Sequence, residues 1–378
     1  MEKAYLVTVY AHINSVPNGS TGKIMLQEHE KLLAQGEKSF AFWGRGRASQ
    51  NKNEFRFTTD AEVYLDVLQT RLDGRAGFHS KRATKRLLKK LDEINPDVVH
   101  LHNIHGYYVN IAMLFEWLAN HDCQIQWTLH DCWAFTGHCA HFTYVKCAQW
   151  KVHCAHNEPC CQLHTYPKTY SKHSCSRNFE EKQCIFTSIP ASRMAFITPS
   201  HWLESLVKES FLKDYPVVVK RNTVDAAIFK SVPSDFRKRY GIGDRFMILG
   251  VASPWTERKG LNDFIRLSKE LDVKRFAIVL VGLSKKQIKN LPNEIIGLTR
   301  TDSAQELAAI YTAADVFFNP TYEDNFPTVN LEAEACGTPV IVYETGGCSE
   351  TVRDKNSFIA NGCNEAIERI VLMERVRN

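Results

Sequence analysis

The chain has 378 residues, 44% of them hydrophobic, with 47 Lys and Arg against 42 Asp and Glu for a formal charge of +5. This length and apolar content suit two domains of ordinary size. The weak positive charge argues against a nucleic-acid-binding protein and fits phosphorylated ligands or an anionic membrane surface. No apolar run approaches the roughly 20 residues of a membrane span, and no signal peptide pattern is present, so we expect a cytoplasmic protein.

The first elements form a pattern that is typical of phosphate binding. The sequence predicts a strand at Tyr5–Ala11, a glycine-bearing loop and an amphipathic helix at Ile24–Leu33. Strand, loop and helix in this order hold phosphates in doubly wound sheets. The loop contains Gly19 and Gly22 but matches neither the Walker A pattern nor G-x-G-x-x-G. A plain turn is the alternative interpretation.

A basic helix follows a second strand at Ser39–Trp43 and a polar loop at Gly44–Thr59. Helical spacing places its cations in two adjacent stripes, opposite an apolar side. A basic amphipathic helix can lie on an anionic membrane, and a solvated helix face is the alternative. The two stripes are Lys81, Lys85 and Lys89, and Arg82, Arg86 and Lys90.

Two further predicted strands, Asp97–His102 and Gln124–Leu129, end in polar residues. Ligands of open α/β sheets gather at the carboxyl ends of strands. We therefore predict that His100, His102, Asn103 and His105, at the end of the first of these strands, lie at a ligand site.

Cysteines are concentrated in one part of the chain, with nine of the twelve between Cys123 and Cys184. The spacing Cys139-x7-Cys147-x6-Cys154-x5-Cys160-Cys161 is interleaved with histidines but lacks the C-x2-C pattern of a zinc knuckle. We expect reduced thiols in a Cys/His-rich loop over about residues 132–184. A structural zinc site is the alternative.

The second half of the chain repeats the alternation of strands and helices, and the predicted domains are residues 1–222 and 223–378. After a strand at Phe246–Ala252, S-P-W-T-E-R-K-G leads into a helix from Leu261. Cations at a helix start are disfavoured unless an anion binds there. Arg258 and Lys259 therefore predict an anion site.

The stretch Thr321–Glu332 lies between two apolar strands and combines acidic side chains with a helix start. Asn325 is predicted as the N-cap with Pro327 in the first turn, which puts Asn325 and Glu332 on one helix face. Asp324 lies in the loop ahead of the helix. Free backbone N–H groups can hold a phosphate while the carboxylates accept from hydroxyls, so the stretch suits a phosphorylated polyol. An ordinary capped helix is the alternative.

D-N-F-P-T-V-N-L-E-A-E-A-C-G-T-P-V resembles the E-x7-E signature of retaining family-four glycosyltransferases, and among them the bacterial colanic-acid and capsular-polysaccharide enzymes. T-L-H-D-C-W-A-F-T-G-H-C also resembles a segment of that subfamily, and S-P-W-T-E-R-K-G resembles G-R-L-x-x-x-K-G. Asp324 replaces the first Glu, and Pro254 stands where the family has Arg. The resemblance implies the glycosyltransferase B fold: two Rossmann-like, doubly wound α/β domains facing across a cleft.

The resemblance also implies roles for these residues. It predicts a UDP- or GDP-sugar donor, retention of configuration, a lipid-linked or oligosaccharide acceptor in surface polysaccharide synthesis, no required metal and a peripheral position on the inner membrane face. Alternatives are a phosphorylase or epimerase, a non-catalytic nucleotide-sugar-binding protein and a zinc-stabilised interaction module. The implied catalytic residues are His130, Asp324 and Lys259; donor contacts come from Gly19, Gly22, Arg258, Lys259, Asp324, Asn325, Phe326, Pro327, Thr328 and Glu332; acceptor contacts come from His102, Asn103 and His105.

Overall fold

A computed structural model of the chain describes residues 7–377. The chain divides into two compact units, of which unit 1 ends at Lys220 and unit 2 begins at Arg221. The predicted boundary between residues 222 and 223 lies two residues beyond this division. Among the described residues, no helix is both long and apolar enough to cross a bilayer.

Unit 1 contains a parallel sheet, seven-stranded within residues 7–220, in the order β3-β2-β1-β4-β5-β6-β7. Its strands pack apolar side chains against helices in the unit's main core. The elements are β1 (Val9–Asn14), α1 (Gly19–Ala34), β2 (Lys38–Trp43), β3 (Glu54–Arg56), α2 (Asp60–Asp73), α3 (Lys81–Ile94), β4 (Val98–Leu101), α4 (Ile111–Asn120), β5 (Gln124–Thr128), α5 (Ser174–Phe186), β6 (Met194–Thr198), α6 (His201–Glu209) and β7 (Val217–Val219).

Unit 2 contains a second parallel sheet, six-stranded within residues 221–377, in the order β10-β9-β8-β11-β12-β13. Two buried clusters cover its faces, as expected for parallel strands that are buried on both sides. The elements are α7 (Phe236–Arg239), β8 (Phe246–Val251), α8 (Leu261–Glu270), β9 (Phe276–Val281), α9 (Lys285–Lys289), β10 (Ile295–Leu298), α10 (Ala304–Ala313), β11 (Val316–Asn319), α11 (Thr328–Ala335), β12 (Val340–Tyr343), β13 (Phe358–Ala360) and α12 (Cys363–Arg377).

The predicted pair of Rossmann-like α/β domains is confirmed, while several element boundaries are wrong. β1 runs to Asn14 because its backbone pairs with β2 up to Trp43. The part of the predicted first strand before residue 7 lies outside the described residues. The polar loop at 44–59 contains the short edge strand β3, and β7, which pairs with β6, forms the opposite edge of the sheet. β3 and β7 are too short for an alternation of apolar and polar residues to be recognised in the sequence.

Candidate functional site

The segment between β11 and α11 carries the acidic residues that the sequence singled out. α11 begins at Thr328, with Pro327 at the N-cap position. The predicted N-cap at Asn325 is therefore wrong, and Asn325 does not share a helix face with Glu332. Proline has a fixed φ and no N–H to leave unsatisfied, so it suits the residue at which a helix begins. Glu332 is the fifth residue of the helix.

The loop around Asp324 is held in place through its backbone. The Thr321 hydroxyl donates to the Glu323 carbonyl at 3.1 Å, and the Asp324 carbonyl accepts from the Gly347 N–H at 2.9 Å. A Cβ atom on Gly346 would lie 2.1 Å from that Asp324 carbonyl oxygen. Gly346, after β12, thus allows the close approach that lets Gly347 bind and fix the Asp324 backbone.

Two cations reach this loop from a single 3-10 turn, Glu257–Lys259, which follows β8. The Lys259 ammonium forms an ion pair with the Asp324 carboxylate, and the Arg258 guanidinium donates to the Glu323 carbonyl. The side chains of Lys259 and Asp324 are each 21% exposed, so solvent and ligands can reach them. Because an ammonium has three donors, Lys259 can hold a phosphate oxygen and Asp324 together.

Glu332 is oriented by a buried tyrosine. The Tyr311 hydroxyl donates to Glu332 Oε2 at 3.1 Å. Burial, followed by the charge of Glu332, raises the pKa of Tyr311 well above its ordinary value, so the phenol remains a hydrogen-bond donor. Glu332 itself is partly exposed.

The residues between the two carboxylates differ in what they can offer a ligand. The side chains of Asn325 and Phe326 are buried, at 4% exposure each, whereas Thr328 is partly exposed. Contacts from the first two must therefore come from the backbone. The first N–H groups of a helix have no partner within the helix, so the start of α11 can hold an anion.

The glycines near the start of the chain have separate roles. α1 begins at Gly19, earlier than the predicted Ile24, so both glycines lie in its first turn rather than in a loop. A Cβ atom on Gly22 would lie 2.4 Å from the Pro17 carbonyl carbon, so Gly22 permits close packing. Gly19 has φ +70° and nothing within 4 Å of a Cβ position. Of the two, Gly19 is where a ligand can approach.

His130 lies against a second histidine at the end of β5. Its Nε2 is 3.1 Å from His102 Nδ1, and the two rings stack with centroids 5.4 Å apart. Burial lowers the pKa of His130 to about 4, so its imidazole is neutral near pH 7 and can hydrogen-bond a sugar hydroxyl. The His102 side chain has no exposed surface, so we do not carry its predicted acceptor contact into the proposal below.

His105 takes part in a network that the sequence analysis missed in part. Its Nε2 is 3.0 Å from the Asp131 carboxylate and its Nδ1 is 2.9 Å from the Tyr166 hydroxyl. Burial alone would raise the pKa of Asp131, but the charge and hydrogen bond of His105 outweigh it and hold that pKa well below its usual range. Asp131 directly follows His130 in the sequence, so its place near the site could have been predicted. Tyr166 lies in an irregular segment, and no sequence pattern indicated it.

The Cys/His-rich segment gathers several thiols in one place. All cysteines within residues 7–377 are free. Hydrogen bonds from the thiols of Cys139 and Cys175 lower the pKa of Cys160. Cys175 lies on α5, a helix inside the stretch that we predicted to be a loop. The ammonium of buried Lys182, also on α5, donates to the Thr136 carbonyl at 2.7 Å. The formation of α5 is explained by these contacts with the rest of the domain, which the sequence pattern does not show.

The chain is similar to known glycosyl transferases in sequence. Residues 234–374 match the family model "Glycosyl transferases group 1". Over 352 residues the chain is 24% identical to WcaC of Escherichia coli K12, named as a colanic acid biosynthesis glycosyl transferase, covering 89% of this chain and 82% of that protein. Other curated relatives, among them D-inositol 3-phosphate glycosyltransferases, are matched over less than half of their length.

Solved structures show the same fold over almost the whole chain. Sucrose-phosphate synthase from Thermosynechococcus elongatus is 16% identical with a TM-score of 0.69, covering 97% of this chain and 89% of that one. Anabaena HepE in complex with UDP and glucose is 14% identical with a TM-score of 0.64, covering 98% and 91%.

The two Rossmann-like units, taken with these matches, define the glycosyltransferase B fold. Residues 234–374 of unit 2 are similar to the group 1 glycosyl transferase model, and the chain resembles a glycosyl transferase of the colanic-acid type.

The state of the gathered thiols can be measured directly. Reduced thiols without a metal, as the sequence predicts, should leave the metal content of the full chain the same in wild type and in Cys160→Ser. A structural zinc ion would instead be lost in the variant, with a fall in thermal stability, because metal-binding energy is folding energy. Metal analysis and thermal unfolding of both proteins decide between these states.

Proposed function

We propose that the protein transfers a hexosyl unit from a nucleotide-sugar donor to a lipid-linked glycan acceptor with retention of configuration, in surface polysaccharide synthesis. The observation that carries the proposal is the set Lys259, Asp324 and Glu332 at the start of α11, within the region that matches the glycosyl transferase family. The named activity of WcaC and the UDP bound to HepE support the donor class and the pathway.

The donor is assigned to unit 2, where each part of the site has one task. Lys259 and the N–H groups at the start of α11 take the diphosphate, and Arg258 supports them. Asp324 accepts from a hydroxyl of the transferred sugar, and Glu332, oriented by Tyr311, accepts from the ribose hydroxyls.

The reaction mainly requires stabilisation of the negative charge that develops on the leaving diphosphate. A fixed ammonium and a helix N-terminus stabilise that charge as it develops, because they are already oriented before the bond breaks. The Lys259–Asp324 ion pair keeps the ammonium in place, and Arg258 fixes the loop through the Glu323 carbonyl. These contacts supply the charge compensation without a metal ion at the diphosphate.

Unit 1 is assigned to the acceptor. Asn103, His105 and His130 lie after β4 and β5, where ligands gather in parallel sheets. The neutral ring of His130 can orient a sugar hydroxyl, and we assign it to the reacting centre as the resemblance implies.

A membrane-facing surface on α2 and α3 supports a lipid-linked acceptor. α2 exposes four large apolar or aromatic side chains, and α3 exposes a row of lysines beside it. The Arg86–Glu62 ion pair links the two helices. Apolar groups beside cations favour the surface of an anionic bilayer. The exposed side chains are Tyr64, Leu65, Leu68 and Leu72 on α2 and Lys81, Lys85 and Lys89 on α3.

The two carboxylates should affect ligands differently. Glu332→Gln should weaken free nucleotide and nucleotide sugar alike, since both contain the ribose, whereas Asp324→Asn should weaken only the nucleotide sugar. Losing a hydrogen bond to a charged group is worth about 1.5–3 kcal/mol, or roughly 10- to 150-fold in affinity. A thermal-shift screen of UDP-, GDP-, ADP- and CMP-sugars first identifies the donor. Calorimetry then measures the affinity of both variants for that nucleotide sugar and for its free nucleotide. Equal weakening of sugar-free nucleotide by Asp324→Asn would contradict the assignment.

Removing the diphosphate cation should mainly slow transfer. Lys259→Ala should lower kcat by about 10²- to 10³-fold, the usual loss for one preorganised electrostatic contact. Arg258→Ala should cost less, because the arginine acts through the loop backbone. Lys285→Ala, an exposed lysine on α9, is the matched control and should match wild type. Steady-state kinetics measure all three, and a wild-type rate in Lys259→Ala would overturn the site. Donor binding without transfer in the wild type would favour a non-catalytic binding protein.

Vesicle binding tests the surface on α2 and α3. Changing Lys81, Lys85 and Lys89 together to Glu should abolish sedimentation with anionic liposomes, because each cation near the surface contributes about 1 kcal/mol. The matched control changes three exposed lysines of α9 (Lys285, Lys286 and Lys289) to Glu, which alters net charge equally and should leave binding intact. Equal binding by both variants, or none by wild type, would remove the membrane assignment.

A further inference from the structure

Four side chains that can ligate metals meet inside unit 1, beneath α1. They are His12 on β1, Glu28 on α1, His100 on β4 and His102 just after it. One ligand atom from each lies within 4.8 Å of the others. His12 and His100 are direct neighbours in the parallel pairing, and His102 follows two residues later on the same face of the sheet. No sequence pattern pointed to His12 or Glu28.

Several polar atoms of this group are buried without a hydrogen-bond partner among the described residues. Both ring nitrogens of His12 and the Nε2 of His102 are buried without a hydrogen bond from residues 7–377, while the Oε2 of Glu28 lies 3.2 Å from the Nδ1 of His100. The His12 and His102 residues are each 1% exposed. Buried polar atoms are nearly always hydrogen-bonded, and leaving them unsatisfied costs free energy. An ion that binds one nitrogen of each imidazole together with the Glu28 carboxylate would remove part of that cost.

Three of the four side chains also contact a partner through their other polar atom. His100 Nε2 is 2.8 Å from the Thr128 hydroxyl, and His102 Nδ1 is 3.1 Å from His130 Nε2. The other oxygen of Glu28 forms an ion pair with Lys220. Metal-ligating histidines characteristically use the second ring nitrogen in such a hydrogen bond, which fixes the tautomer and the ring orientation.

The histidines are in the form that binds metals. Burial lowers the pKa of His12 and of His100 to about 3, and that of His102 well below its ordinary value. They are therefore neutral near pH 7, and neutral imidazole is the ligand form.

We propose that His12, Glu28, His100 and His102 bind one divalent transition-metal ion, with zinc as the first choice. Three imidazoles and one carboxylate match the ligand preference and coordination number of zinc, whereas magnesium and calcium favour oxygen ligands. Zn–N distances of about 2.0–2.1 Å put any two ligand atoms at most about 4.2 Å apart. Small side-chain rotations would therefore close the observed group around an ion.

Such an ion would tie β1, α1 and β4 together and act on His130 through His102. With Nε2 of His102 on the metal, its Nδ1–H donates to His130 Nε2 and sets the tautomer of that ring. His102 is thus a positioning residue. This role goes beyond the proposed transfer reaction, which needs no metal at the diphosphate.

Metal analysis of the full-length chain tests the site. Wild type, stripped with chelator and dialysed against Zn²⁺, should bind one more equivalent of zinc than His12→Phe and should gain thermal stability on zinc addition. His29→Gln alters a neighbouring buried histidine that bonds Ser39 instead, so it is the matched control and should keep the zinc. Thr128→Val removes only the partner of His100 and should weaken zinc binding by about 10- to 100-fold.

Cobalt separates this site from the cysteine segment. Co²⁺ bound by three imidazoles and a carboxylate should show visible d–d absorption that His12→Phe loses, without the near-ultraviolet charge transfer of thiolate ligands, and Cys160→Ser should retain it. The Co²⁺ spectrum of the wild type tests the site even if the His12→Phe protein fails to fold. The proposal is overturned if wild type and His12→Phe contain equal amounts of metal, or if His12→Phe is the more stable protein in the presence of zinc. Either result would indicate a histidine cluster packed without metal.

Discussion

The site in unit 2 depends on backbone hydrogen bonds that hold the loop after β11. The Arg258 guanidinium donates to the Glu323 carbonyl and the Gly347 N–H donates to the Asp324 carbonyl, so two consecutive peptide groups are fixed from different segments. The carboxylate of Asp324 can then face Lys259 without being held by the ligand. Preorganisation of this kind avoids reorganisation at the moment when charge develops.

This arrangement also bears on the two departures from the family pattern. The family arginine position is occupied by Pro254, which is exposed, while Arg258 lies in the 3-10 turn and is used to fix the loop. Lys259 is the cation that meets a carboxylate at the site. The shorter Asp324 is reached by the long Lys259 side chain, so the ion pair forms although the acidic residue is one methylene shorter than Glu.

Unit 1 buries several imidazole rings on one face of its sheet. His12, His100 and His102 lie on one face between β1, β4 and α1, and His130 continues the chain of contacts toward the strand ends. Burial keeps these rings neutral, so they contribute hydrogen-bonding atoms and no charge. The inner rings can therefore have a structural role while His130, at the end of the same chain of ring contacts, faces a ligand.

The sequence predicted the strands of both sheets well, because buried parallel strands are short apolar runs bounded by polar residues. It failed at boundaries that depend on packing. The start of α11 was placed at Asn325, a good N-cap by type, but Asn325 and Phe326 are buried ahead of the helix, which begins at Thr328 after Pro327. α5 was missed because its helical face packs partly through cysteines and a buried lysine, Lys182, instead of a clear apolar stripe.

The sequence by itself determined the alternation of strands and helices, the acidic stretch and its resemblance to family-four glycosyltransferases, since these depend on residues that are near one another in the chain. Only the tertiary structure decided which distant groups meet. The pairing of β1 with β4 brings His12 beside His100, and helix packing adds Glu28, although 88 residues separate the two histidines in the sequence. Periodicity reports the face on which a side chain lies, whereas strand order and register determine its neighbours.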